Sequence, residues 1–119
     1  MQKDDANKQF FKFVKNNYKN WLYDENPPLL SHKIIEKKVA PILNNKIPTY
    51  FVLIDNLRYD QWKILEQDII SDYKIVSDDM YSSILPTSTQ YSRNSIFSGL
   101  LPLDIQNKYP HFWKNDQDD

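Results

Sequence analysis

The sequence predicts an α/β fold: an N-terminal helical connector, then the first strand–helix–strand–helix portion of a parallel sheet. Three observations carry this. TYFVLID (49–55) is a continuous apolar run, too short for a helix and rich in strand formers, as in a parallel strand covered on both faces. RYDQWKILEQDII (58–70) follows with helical spacing, Trp62, Ile64, Leu65 and Ile69 facing inward. DYKIVSDDMYSSI (72–84) is a second strand region ending near Leu85. After it, PTSTQYSRNSIFSGL (86–100) is a loop entering a third helix, stopped by Gly99 and Pro102. That order is the grammar of α/β domains, and its crossover is expected to be right-handed.

Ahead of this region, residues 5–23 place Phe10, Phe13, Val14, Tyr18, Trp21 and Leu22 at helical spacing. Asp4 or Asp5 is a suitable cap for that helix. DENPP (24–28) breaks it, because proline lacks an amide donor and disfavours helix in the residue before it. Ser31 is a cap for a second helix, SHKIIEKKVAPIL, which Pro41 kinks or ends. The expected division is a helical connector over 1–46 and an incomplete α/β domain over 47–119. The aromatic stripe of the first helix is packing surface rather than a ligand site.

Composition removes several classes of function. The 119 residues are enough for one domain and contain no cysteine, so disulfides, thiolate zinc sites and cysteine nucleophiles are excluded. A formal charge of −1 gives no global attraction to nucleic acid or anionic membrane. The chain contains one glycine, and a glycine-rich phosphate loop needs several. No apolar run approaches the roughly 20 residues that span a bilayer, and the polar N-terminus is no signal peptide. These features suit a cytoplasmic location without a membrane partner.

Asp55 closes the first predicted strand, and Thr89 follows the second where a helix begins. In open α/β sheets, sites form beyond the carboxyl ends of the strands, so both groups are expected to face one crevice. A carboxylate is a hard ligand for zinc or magnesium. A helix N-terminus favours phosphate, and a metal-bound hydroxyl there can attack phosphorus. The competing reading is that Asp, Asn, Ser and Thr at such turns only cap helices.

The pair DNLRYD (55–60) and PTSTQYSRNSIFSG (86–99) resembles the alkaline phosphatase superfamily. In its nucleotide phosphodiesterase branch an Asp-Gly-aromatic-Arg-Tyr-Asp segment ends the first strand, and Pro-Thr-x-Thr precedes a helix that ends in Thr-Gly. More closely, the chain resembles the PglZ domain in the version attached to PorX-type response regulators of Bacteroidetes. There a receiver domain and a helical connector precede the PglZ domain, and the chain looks like a fragment of such a protein. The resemblance covers roughly residues 48–110.

The resemblance implies Asp55 as a metal ligand and Thr89 as the nucleophile, bridging to the same metal, with Thr87 and Ser88 as competing hydroxyls. It implies zinc, two divalent ions in the complete protein, and remaining ligands outside this chain. The reaction implied is in-line attack on a phosphodiester through a phosphothreonine intermediate, on a nucleotide or oligonucleotide among other substrates. Arg93, one helical turn beyond Thr89, matches the offset of an arginine in sulfatases and either orients phosphate or pairs with Asp60 or Asp78. Asn56 replaces the usual glycine in a substrate-facing turn and can adopt its left-handed backbone. Arg58 and Asp60 tie that turn together.

His32 and His111 are the chain's histidines, and both are expected in structural or loop roles, His32 exposed beside a helix cap. The alternative function is a non-catalytic signalling or dimerisation module controlling type IX secretion or gliding. A homodimer, or poor solubility of the isolated chain, is expected from unpaired sheet edge.

Overall fold

The computed structural model describes residues 2–43 and 46–113. Its elements are helical: α1 (Gln2–Trp21), α2 (Tyr59–Asp72), α3 (Thr89–Ser98) and α4 (Pro102–Lys108), with short 3₁₀ turns at Ser31–Lys33, Ala40–Ile42 and Pro110–Phe112 and a π-helical turn at Ile35–Val39. No strand occurs among the described residues, and this overturns the predicted parallel sheet. Segments 51–54 and 73–81 run outside any helix but form no ladder. Among the described residues, Leu30 and Ser82 form an isolated parallel bridge.

The reason lies in what a parallel strand requires. A continuous apolar run is stable as such a strand only when both faces are covered and both edges are paired. Here Val52 is 75% exposed and Val76 is 90% exposed, so neither run has that cover. The same deficit undoes the inward face expected of α2. That helix buries no residue, and Ile64 is 72% exposed.

Helix starts and stops were more legible. α1 covers the predicted stretch from 5 to 21 but starts at Gln2, so Asp4 and Asp5 lie within its first turn and do not cap it. It touches the rest of the molecule near its C-terminal end, where the Leu85 amide donates to the Tyr18 hydroxyl at 2.6 Å. The predicted second helix is an irregular run over 31–42, passing from 3₁₀ through π and back to 3₁₀. Pro41 lacks an amide donor and its ring crowds the carbonyl four residues earlier, so a regular α-ladder cannot continue there. Ser31 does not cap this run, since Leu30 holds the N-cap position and makes no side-chain cap bond.

α3 ends as predicted at Gly99, whose φ of 69° is the left-handed closure that only glycine adopts freely. Pro102 does not act as a stop. It opens α4, where its missing amide is one the helix would have left unsatisfied anyway. The core is small and sits around α3. Leu30, Ile84, Ile96 and Ile105 are buried, together with Ser31 and Ser95. The 3₁₀ turn at Ser31–Lys33 packs against α3, and α3 packs against α4.

Candidate functional site

A cavity of about 620 Å³ opens between the turn at 55–56, the start of α3 and the segment 77–83. Asp55, Asn56, Thr87, Thr89 and Arg93 all line it. The four residues singled out from the sequence, Asp55, Asn56, Thr89 and Arg93, therefore share one concavity.

Each is placed by a local feature. Asn56 has φ 58°, the left-handed backbone expected of a residue standing in for glycine, and it turns the chain sharply after Asp55. Arg58 grips Asp60 with two bonds, Nε to Oδ1 at 3.0 Å and Nη2 to Oδ2 at 2.9 Å. That grip, led by the Arg58 hydrogen bonds, holds the Asp60 carboxyl below its usual range. The Arg58 amide donates to Gln61 Oε1 at 3.0 Å, fastening the start of α2. Arg58 and Asp60 thus tie the turn, and neither lines the cavity.

Thr89 is the first residue of α3, and Ser88 takes the N-cap position. Ser88 makes no side-chain cap bond, so the simple capping role is not realised at that residue. Arg93 lies one turn on. Asp60 is engaged by Arg58 and Asp78 by Lys63 at 3.0 Å, and Arg93 makes no ion pair among the described residues.

Several lining residues escaped the sequence reading. Lys38, from the irregular run, pairs with Asp79 at 2.7 Å on the cavity wall. Tyr81 faces the same space, and burial first, then the charge of Asp55, pushes its phenol above its ordinary pKa. Ser83 and Ser92 also line it, alongside an apolar wall that includes Phe51, Met80 and Ile96. The adjacent acids Asp78 and Asp79 pair separately, with Lys63 and Lys38.

For a metal, the fit is partial. Asp55 and the threonine hydroxyls are hard oxygen donors of the right kind. No group of three or more His, Asp or Glu side chains able to hold an ion occurs among the described residues. Asp79 is committed to Lys38, and neither His32 nor His111 lines the cavity. What is present suits one corner of a metal centre. His32 also departs from its expected exposure. It is half-buried, and its Nδ1 is sealed from solvent without a hydrogen-bond partner.

No helix among the described residues is long and apolar enough to cross a membrane. No curated protein matches the chain. The family model described as the BREX system PglZ alkaline phosphatase-like domain matches residues 34–118, which takes in the turn at 55–56, the whole of α3 and every lining residue of the cavity except Leu29. The chain therefore belongs to the PglZ family of alkaline phosphatase-like domains.

Proposed function

We propose that this chain forms part of a metal-dependent phosphodiesterase or phosphatase in which Thr89 is the nucleophile. The observation that supports the reading is that Asp55 and Thr89, far apart in sequence, line the same cavity together with Arg93. The family supplies the hydrolase background. The finer assignments below rest on the cavity's chemistry and on the motif resemblance.

Asp55 would hold a divalent ion, for which zinc is proposed, with Thr89 as its partner ligand and the remaining ligands drawn from outside the described residues. Such an ion supplies a lowered hydroxyl pKa and neutralisation of phosphoryl charge. The chain's own residues do the rest. Thr89 Oγ1 gives up its proton and bonds to phosphorus while the ester oxygen opposite departs as an alcohol or phenol. Water then cleaves the threonine ester. Arg93, without a competing acid among the described residues, offers a planar fork to two phosphoryl oxygens. Asn56 lines the same wall. The apolar stretch with Phe51 and Met80 suits the flat organic part of a phosphodiester, a nucleotide among the candidates.

Hydrolysis of an aryl phosphodiester by the zinc-loaded full-length protein tests this reading. Thr89→Ala is expected to lower turnover on the order of 10³-fold or more, as loss of a nucleophile does elsewhere. Undiminished turnover would defeat the assignment.

In the wider proposal, the domain is the output of a PorX-type response regulator, downstream of a receiver domain and tied to type IX secretion. A second reading, a module that pairs two copies, draws on α1, where Phe10, Phe11 and Phe13 are all exposed. If it holds, Phe10→Ser lowers the oligomeric state in sedimentation without touching hydrolysis.

A further inference from the structure

We infer that Ser92, backed by Ser83 and Ser31, positions the first turn of α3 and so holds Thr89 at the cavity. This rests on the nucleophile reading above. The Oγ atoms of Ser83 and Ser92 lie 2.8 Å apart. Ser31 Oγ is 3.3 Å from Ser92 Oγ and 3.5 Å from Ser83 Oγ, and it accepts the Ile84 amide at 3.1 Å. Ser31, more than fifty positions away, thus joins Ser83 and Ser92 in one group of hydroxyls.

Their burial is graded. Ser31 is wholly enclosed at 0% exposure, while Ser83 and Ser92 are half-buried and reach the cavity wall. A serine inside a helix commonly bonds back to the carbonyl one turn earlier. Ser92 instead spans across to Ser83, off its own helix. Thr89 and Ser92 are three apart in α3 and so share a face.

The rest of α3 is anchored by packing through Ser95 and Ile96, both buried. At its beginning, Tyr91 packs against Trp113, with ring centroids 5.7 Å apart. Thr87, Ser88 and Thr89 are exposed, and the N-cap makes no side-chain bond. The serine group is the hydroxyl tie that fastens this first turn, three residues from the nucleophile, to the segment before it and to Ser31. Small displacements of a reacting group are costly to rate, which gives the tie a function beyond stability.

The test uses Ser92→Ala in the full-length protein, with two readouts. In hydrolysis of an aryl phosphodiester, kcat is expected to fall roughly tenfold with KM within about twofold, because positioning is lost and binding is not. Ser92→Thr, which keeps the hydroxyl, is expected to recover most of the loss. Amide hydrogen exchange is expected to speed up at 89–92 and stay unchanged at 95–98. Ser83→Ala carries the same readouts should Ser92→Ala fail to fold, and the double variant is expected to be no slower than the worse single one. Wild-type kcat together with wild-type exchange at 89–92 would overturn the inference, as would a loss that falls on KM alone. Full activity in Thr89→Ala would instead remove the nucleophile reading, while the exchange measurement still decides whether Ser92 holds the turn.

Discussion

His32 sits near Asp104 of α4 with its Nδ1 closed off from water and unpartnered. Burial, reinforced by the charge of Lys33, lowers its pKa, and the opposing pull of Asp104 and Glu36 does not reverse the shift. A histidine depressed in the folded state is protonated first in the unfolded chain. Stability is therefore full above about pH 6.5 and falls as pH drops through that value toward the lowered folded pKa. Urea midpoints at pH 7.5 and 5.5 are expected to differ, and His32→Gln is expected to shrink the difference. An unchanged pH dependence in that variant would contradict the assignment. Residues whose backbone state follows from their chemistry were the legible ones. Asn56, the replacement for a glycine, has the positive φ that the replacement demands. Ser31 was misread as a cap because its true partners, Ser83, Ser92 and the Ile84 amide, lie more than fifty positions away, beyond the range of local rules.

Among the elements, α3 carries the site; its C-terminal end follows from Gly99, while Ser88 at its N-cap makes no side-chain cap bond. Its C-terminal closure at Gly99 is the most testable. A Cβ there would meet the His32 carbonyl oxygen at 3.7 Å, an ordinary contact, so crowding is not the issue. The cost of Gly99→Ala is left-handed strain, about 1–2 kcal/mol of stability. Gly99→Asn is expected to cost less, because asparagine visits that region more readily. Equal midpoints for the glycine and alanine proteins in urea would show that the turn relaxes. The irregular run over 31–42 shows where element-level reading stops. Its apolar spacing is helical, yet the run takes a π turn at Ile35–Val39, where Lys38 pairs with the distant Asp79. The predicted strands failed for a related reason. Apolar continuity reports that a segment can be covered, but 51–54 and 73–81 pair with no strand among the described residues, and Val52 and Val76 stay exposed.

At the scale of the whole molecule, the chain is more open than its length would suggest. The radius of gyration is 16.9 Å. A compact domain of this size is expected near 13.5 Å, by a rough scaling. The buried apolar residues gather at α3 and α4, while Phe10, Phe11, Ile64, Val52 and Val76 remain exposed. Exposed apolar surface on that scale favours association. Light scattering across a dilution series is expected to show the isolated 119-residue chain self-associating, and a monodisperse monomer at all concentrations would contradict this. The small core nonetheless does what the site requires, because Ile84 and Ile96 flank the segments that deliver Ser83 and Thr89 to the cavity. Whether Thr89 is the nucleophile there is tested most directly by acid-quenching the zinc-loaded full-length protein during turnover of an aryl phosphodiester and locating the covalent ester by mass spectrometry. A phosphoryl ester on Thr89, absent from Thr89→Ala, is the predicted result. Turnover that proceeds with no ester on Thr89 and survives its replacement would contradict the account.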